Sequence, residues 1–574
     1  MRISHLKFSK KRILGVLIFT FSVGYLQSSQ AVVDMKNAAY VDQFLDITLP
    51  GTAVYDLKVN RTYSSRFNFT GILGYGWCTD FETSIEKTAE GSLKLQICGA
   101  GQETVFVTGA QDLAMANKVV DQILERVKKE KPSSIATPKY LSDLKSQLLA
   151  NAAQRLQLAK QVGISIPEVK KGAVYISETS ETDKITFDGT FYVRSLTDGT
   201  MQKFDSNGRL SYMYDKNSNY LKLVYNGDLL KEVQDSANRK LNFIYKNKRV
   251  IEITGPSIAS EKIRATYEYK GEDLVKVVNR WGNTYLFEYD DVHNLTKINF
   301  PDGTFKALSY DKKNAWVMSF TDRIPKGGVS CTETYAYEVD KNEPRDHFWS
   351  TAIKKCGKEI TNQARFEFWH KKRMDGRKYL SRVLTKTNSE SLDVTYHPDF
   401  GRPTTLKRNG SIINFSYYPN GLIHEKSTDS IHMNFEYKNS FNKVSKVTTE
   451  FYNSENRKLE RKRDTNFTYD AKANLVAAAN TDGQNVKLTY DAKGRIATII
   501  DQAKKEVIIT YDEKFSKPSV ITRPKVGSIN VTYKANGEIE KVGSKDGPSV
   551  ATQVASAFNN LLELIAPATS ELSL

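Results

Sequence analysis

The sequence predicts a mainly β protein: antiparallel hairpin repeats wound into a spiralling curved sheet or partial shell, with an inserted helical hairpin and a C-terminal helix. Three observations carry this reading. Tyrosines recur at a nearly constant spacing over some 300 residues, apolar and polar residues alternate between them, and the composition (30 Tyr and 27 Phe in 574 residues) favours half-buried pleated surfaces.

The spacing comes first. Tyr469, Tyr490 and Tyr511 are each followed by Asp and lie 21 residues apart, and Tyr533 follows 22 later. Tyr289 and Tyr310 are 21 apart, as are Tyr396 and Tyr417, while Tyr225, Tyr245, Tyr267 and Tyr289 continue at 20, 22 and 22. A fixed period means one supersecondary unit that buries its apolar face only against its neighbours. Inside a unit, Val486, Leu488 and Tyr490 alternate with Lys487 and Thr489, and Val507, Ile509 and Tyr511 repeat the pattern. Period two is a strand with one buried face. Asp302-Gly303, Asp482-Gly483, Asn207-Gly208, Asn420-Gly421 and Asn536-Gly537 supply turn residues that tolerate positive φ.

The remaining elements fall around this sheet. Residues 1–31 read as a signal peptide: Arg2, Lys7, Lys10, Lys11 and Arg12 precede the apolar run Ile13–Val23, and Ser29-Gln30-Ala31 sets cleavage between Ala31 and Val32. The run falls short of the ~20 residues that span a bilayer, and no later stretch does better, so the mature chain is expected to be exported without a transmembrane segment, to the periplasm, the outer cell surface or the extracellular space. Loss of five basic residues lowers the net charge from +17 to +12. Residues 32–110 read as a β-rich N-terminal domain and 111–170 as an inserted helical hairpin, with Leu113, Ala116, Val120, Ile123, Leu124 and Val127 on one stripe. Thr137-Pro138 caps a second helix carrying Leu141, Leu144, Leu148 and Ala152. The repeat sheet spans 171–547. Residues 548–574 read as a C-terminal helix or tail with Val550, Val554, Phe558, Leu561, Leu562 and Ile565 on one face, and Phe558, Leu561 and Ile565 are expected to plug the inward face of the sheet.

At these residues the chain resembles a known family. The Tyr-Asp pairs, as in Tyr490-Asp491-Ala492-Lys493-Gly494-Arg495, are similar to the YD repeats of Rhs proteins, which also build toxin-complex C subunits, wall-associated contact-inhibition proteins and the teneurin shell. Leu49-Pro50-Gly51, Arg61 to Ser65 and Phe69 to Trp77 (FTGILGYGW) resemble the region that precedes those repeats in bacterial Rhs proteins. The resemblance covers about 40–110 and 171–546. It implies a spiralling β shell with tyrosines stacked between windings. It lacks the Asp-Pro-x-Gly-Leu type of self-cleavage segment and a C-terminal toxin.

Chemistry is sparse. Cys78 and Cys98 flank a predicted hairpin near Thr88–Gly91, and Cys331 and Cys356 flank another near Asn342–Pro344, so each pair is expected to form a cross-strand disulfide, as an oxidising compartment permits. No Cys or His spacing supports a metal site, and no cofactor is implied. The seven histidines are scattered, and no nucleophile elbow or Walker loop occurs; Gly99-Ala100-Gly101 reads as a turn. Arg457–Arg463 is the densest basic cluster, in an expected loop insertion. No basic tract interleaves with aromatics, so no nucleic acid partner is expected. The leading expectation is an exported, non-catalytic scaffold or binding protein of the envelope, with glycans or another exported protein as ligand and the ligand residues unassigned. The alternative is a shell component of a toxin-delivery or interbacterial-competition system with separately encoded cargo.

Overall fold

The computed structural model describes residues 32–569 apart from 53–54, 98–101, 109–111, 151, 178–179, 197–198, 259–260, 324–327, 375–377, 454, 514, 535–538 and 545–547. The leader with Ala31, the Gly99–Gly101 turn, the Asn536-Gly537 turn and Cys98 lie outside the described residues.

One antiparallel sheet runs from Ser84–Lys87 to Ile539–Ser544, each strand pairing with the next. The two terminal strands do not pair with each other among the described residues. Closure is local instead: Ile85 N donates to Gly208 O (2.8 Å), and Ser84 bridges Arg209. The sheet starts earlier than the repeat spacing predicts, because Gln102–Val107 pairs with Val174–Ser177 (Val107 opposite Ile176). The helical segment is therefore spliced between two neighbouring strands of one sheet. Its described residues form helices α1 (Asp112–Glu130), α2 (Pro138–Ala150) and α3 (Ala152–Gln161), with residue 151 between the last two outside the described residues. Thr137 Oγ1 accepts the Tyr140 amide and caps α2. The buried Arg155 reaches both the Leu148 carbonyl (2.6 Å) and the buried Glu90 (2.5 Å), fastening the helices to the Thr88–Ser92 turn. Arg457–Arg463 is also not a loop: from Leu459 it belongs to the strand Leu459–Tyr469, paired with Lys446–Tyr452.

The repeat tyrosines occupy one recurring position. In each unit the register shifts immediately before the tyrosine. Thr489 faces Thr498 but Tyr490 faces Ile496, so Ala497 is the extra residue of a bulge that adds twist. Each hydroxyl then donates to the carbonyl of a residue in the preceding unit. Tyr490 donates to Leu475 O (2.8 Å), which lies opposite Tyr469; Tyr511 donates to Ile496 O (2.8 Å), opposite Tyr490; Tyr533 donates to Pro518 O (2.7 Å), opposite Tyr511. Tyr225, Tyr245, Tyr289, Tyr310, Tyr417 and Tyr469 make corresponding bonds. Tyr267 does not. It points inward to Asp46 (3.1 Å), and Tyr269 takes the ladder position, bonding Val250 O (2.7 Å). Two tyrosines at the same phase, two residues apart, leave the 22-residue spacing ambiguous. Tyr396 sits at the same register shift without a ladder bond among the described residues. The residue after the tyrosine sets the turn: Asp491 Oδ1 accepts the amides of Lys493 and Arg495, and its Oδ2 accepts Arg495 Nε (2.6 Å). In the Asn207-Gly208, Asp302-Gly303, Asn420-Gly421 and Asp482-Gly483 turns only the glycine has positive φ.

The curl is filled by its own ends. A four-stranded sheet (Val32–Asp34, Ala39–Thr52, Tyr55–Ser64, Trp77–Thr79) lies inside the first half, where Tyr40, Ile47, Leu57 and Trp77 join Leu241, Ile253, Val277 and Ile298 in one core. Its buried charges are paired, as burial requires: Arg61 with Asp46 (2.9 Å) and Lys306 with Asp42 (2.8 Å). Trp77 Nε1 donates to Tyr289 Oη (2.8 Å), and the Leu295 amide donates to Tyr63 Oη (2.9 Å). The second half closes over α4 (Pro548–Thr569): Val550, Val554, Ala557, Phe558, Leu561 and Leu564 pack on Phe435, Val447, Val486, Ile499 and Val507, with Ile565 half-buried alongside. Leu562, expected on that face, is 41% exposed; one step beyond Leu561 is 100° around the helix, and Leu564 is buried instead. Successive windings also touch. Lys216 Nζ donates to Ala473 O (2.9 Å), Asn474 Nδ2 to Asn217 Oδ1 (3.1 Å) and Asn219 Nδ2 to Lys493 O (3.0 Å).

Candidate ligand-binding face

The inward faces of the first repeat strands are buried: Ile185, Tyr192, Phe204, Leu210, Leu221 and Leu223 all belong to the first core. Alternation puts the intervening residues on the outer face. Elsewhere these include Lys–Glu pairs and hydroxyl pairs, such as Lys276–Glu268 (2.8 Å) and Thr489–Thr498 (2.8 Å), and a ring group of His347, Trp349 and Trp369. Between Phe191 and Lys222 they are aromatic. Tyr212 and Tyr214 stack (ring centroids 5.4 Å, interplanar 17°); Tyr214 meets Tyr220 at 5.9 Å, and Phe191 meets Tyr212 edge-on at 6.3 Å. Register assembles the cluster: Lys203 faces Tyr212, Tyr212 faces Lys222, and Tyr214 lies between Met201 and Tyr220.

Lysines border the rings. Lys203 Nζ stands over Tyr214 (5.4 Å) and Phe191 (5.9 Å), and Lys222 Nζ over Tyr212 (5.9 Å). Each such contact contributes about 0.5–1 kcal/mol at an exposed site. An exposed Lys184 lies on the same outward phase two strands away. Carboxylates stay at the margin. Asp188 Oδ1 accepts the Phe191 and Thr190 amides (2.7 and 2.8 Å), which together with nearby Lys203 hold its pKa below the usual carboxylate range. Glu232, one strand beyond, is engaged by Lys240 (3.1 Å). Partial burial, followed by the neighbouring phenols Tyr212 and Tyr220, raises the Tyr214 pKa, so the Tyr214 ring stays neutral at physiological pH. The result is a cationic, ring-paved surface of alternating apolar faces and ammonium groups. Sugar rings with carboxylate, sulfate or phosphate substituents offer the complementary pattern, C–H faces for the rings and oxyanions for the lysines.

None of these residues stands out in the repeat spacing. The available signal is aromatic residues on the polar phase of Leu210–Tyr214 and Tyr220–Asn226, with Lys203 and Lys222 in register. The residues singled out from sequence lie elsewhere. Cys331 and Cys356 are opposite each other and form a disulfide (Cα–Cα 4.1 Å) on the hairpin Cys331–Val339/His347–Cys356. Cys78 is buried and in disulfide linkage; it sits on Trp77–Thr79 of the N-terminal sheet rather than on the hairpin that precedes Cys98, and Cys98, its expected partner, lies outside the described residues. The ladder tyrosines are half-buried or buried inside the sheet and are structural. Val32 begins the first strand, and Ala31 is outside the described residues. Among the described residues no group of three or more His, Cys, Asp or Glu side chains could hold a metal ion, and no helix is long and apolar enough to cross a membrane.

Comparison with known proteins adds the following. No curated protein matches the chain. Among solved structures it is similar to a TcdB2–TccC3–Cdc42 complex (12% identity, TM-score 0.37, 88% of this chain and 29% of that one). It is similar also to the Tc holotoxin pore of Photorhabdus luminescens (9%, TM-score 0.33, 90% and 28%) and to a porin-like protein from Bacteroides uniformis (15%, TM-score 0.15, 43% and 95%). The chain spans 28–37% of the toxin chains named among these similar structures. Residues 31–106 match a family described as a domain of unknown function (DUF6531), and that match takes in the filling N-terminal sheet and reaches the strand Gln102–Val107 of the large sheet.

Proposed function

We propose that this chain is an exported, non-catalytic YD-repeat scaffold that binds glycan at the cell envelope or outside the cell. The single observation that carries the binding role is the outer-face cluster of Phe191, Tyr212, Tyr214 and Tyr220 edged by Lys184, Lys203 and Lys222. Many outer-face positions carry charge pairs and hydroxyls that keep the sheet soluble; here four rings are held towards solvent. The basic and apolar leader at 1–31 supports export, and the ladder of tyrosine–carbonyl bonds supports a rigid scaffold. The interior favours surface recognition over cargo, because both halves of the inward face are covered by the chain's own N-terminal sheet and α4.

The test is a screen of the mature chain, residues 32–574, against immobilised neutral and acidic polysaccharides. Retention on acidic glycans that weakens as salt rises past the ~10 Å screening length of 0.1 M salt is expected. Retention on no glycan, with capture by an envelope protein instead, would overturn the ligand class.

A further inference from the structure

A second site lies where the repeat departs from its own turn. Tyr289, Tyr310, Tyr469, Tyr490 and Tyr511 are each followed by Asp, but Tyr417 is followed by Tyr418. The backbone turn is the same: Tyr418 N donates to Leu422 O and Gly421 N to Tyr418 O (both 2.8 Å), as Asp491 N does to Arg495 O and Gly494 N to Asp491 O (both 2.9 Å). A phenol cannot take the turn amides as a carboxylate does. Asn420 Oδ1 accepts the Leu422 amide instead (3.1 Å), and the Tyr418 hydroxyl reaches across to Phe435 O (2.9 Å), on the strand Ile431–Glu436. The next turn on that edge is altered too. Lys438 is inserted after Tyr437, and Asn439 Oδ1 accepts the Phe441 and Lys443 amides (both 3.1 Å), the part Asp491 plays elsewhere, one residue late. Between the two turns opens a cleft of about 510 Å³, with Tyr418, Asn420, Glu436, Tyr437, Lys438 and Asn442 in its lining. None of these residues is buried.

The lining decides what the cleft takes. Lys438 Nζ pairs with Glu436 Oε2 (2.6 Å), so the two charges cancel and draw in neither an anion nor a cation. Tyr418 and Tyr437 meet edge to face (ring centroids 6.1 Å, interplanar 87°), and the bond to Phe435 O fixes the Tyr418 ring. Asn420 Nδ2 and the Asn442 side-chain amide make no hydrogen bond among the described residues. Rings beside carboxamides, each amide both donor and acceptor, suit a pyranose: its C–H groups meet the rings and its hydroxyls meet the amides. An alkyl chain would leave the amides without partners. The volume is within the ~300–1,000 Å³ of small-molecule sites. We infer that this cleft binds one or two neutral sugar rings, packed on the Tyr418–Tyr437 pair and hydrogen-bonded by Asn420 and Asn442. The site shares no residue with the cationic Phe191–Lys222 face and does not depend on it.

The experiment is saturation-transfer NMR of residues 32–574 with maltose, cellobiose, lactose and N,N′-diacetylchitobiose. At least one disaccharide is expected to receive saturation at its ring C–H protons. Asn442→Gly removes an amide and keeps the positive φ (+54°). Asn420→Asp removes the Nδ2 donor and keeps an oxygen for the Leu422 amide. Each variant is expected to weaken binding about tenfold or more, and Tyr437→Ala to abolish the transfer. No transfer to any of these sugars overturns the inference, and so does transfer unchanged in both asparagine variants, which would put the sugar elsewhere on the protein. Failure here is distinguishable from failure of the outer-face reading: a chain retained on no acidic polysaccharide, whose disaccharide signal is still lost in Asn442→Gly, loses the outer-face ligand and keeps this cleft.

Discussion

Replacing Tyr490 with Phe removes one atom and one hydrogen bond. The ring keeps its place beside the bulge at Ala497, so no cavity forms, and the loss is the 2.8 Å bond from the hydroxyl to Leu475 O. A neutral bond of this kind contributes about 0.5–1.5 kcal/mol net. Truncating the ring as well, in Tyr490→Ala, should cost ~3–5 kcal/mol, as for other large-to-small aromatic changes. The bond is local, so its loss belongs first to the contact between one unit and the previous one, as in quasi-one-dimensional repeat folds. Amide hydrogen exchange resolved by peptide is the suitable assay: protection should fall about three- to tenfold in the segments around Leu475 and Tyr490 and remain unchanged near Tyr289. Tyr396→Phe is the internal control, because Tyr396 has the same register shift and no ladder bond among the described residues. If Tyr490→Phe leaves exchange unaltered, or Tyr396→Phe disturbs its own neighbourhood equally, the hydroxyl ladder contributes nothing and the reasoning fails.

Other predictions probe closure, filling and titration. Gly494 has φ +79°, and an added Cβ would stand 2.1 Å from Asn217 Nδ2, so Gly494→Ala should break the contact between windings and cost more than Gly483→Ala, which has a similar φ (+88°) but open space around it; equal urea midpoints would show that the contact carries no stability. Deleting α4 should expose the second core to an apolar dye and lower the thermal midpoint, since each buried large side chain contributes ~1.5–3 kcal/mol as an upper estimate; unchanged melting would make α4 a free tail. Burial pushes the Tyr490 and Tyr533 phenols up to about 12. A raised folded pKa gives stability that is fully present below the unfolded phenol value near 10 and is lost as pH rises through 12. Phenolate absorbance from ladder tyrosines should therefore appear together with alkaline unfolding; a full titration near pH 10 with far-ultraviolet dichroism intact would refute their burial.

Much of the architecture was legible because it repeats. The 21-residue interval and period-two alternation locate the strands, and Asp491 and its counterparts mark turns through a local mechanism, a carboxylate accepting amides two and four residues on. The spacing could not distinguish Tyr267 from Tyr269, since both lie on one face and only the partner, Asp46 or Val250 O, separates them. Nor could it show that the sheet begins at Ser84: the pairing of Val107 with Ile176 spans the whole helical insertion and leaves no periodic trace. The binding face was hidden for a related reason. Phe191, Lys203, Tyr212, Tyr220 and Lys222 become neighbours only through register across four strands, and composition alone does not tell an outward tyrosine from an inward one.

The central claim is that the ring-paved outer face is a ligand surface, and the most direct measurement is titration of the mature chain with an acidic oligosaccharide identified by the polysaccharide screen. Tyr212→Ala with Tyr214→Ala should weaken binding about tenfold or more, since each 1.4 kcal/mol of lost contact is tenfold in affinity. Lys203→Gln with Lys222→Gln should weaken it and flatten its salt dependence, while Lys276→Gln, on a charge-paired outer strand, should change neither. Affinity unchanged in both double variants while the fold stays intact would contradict the account.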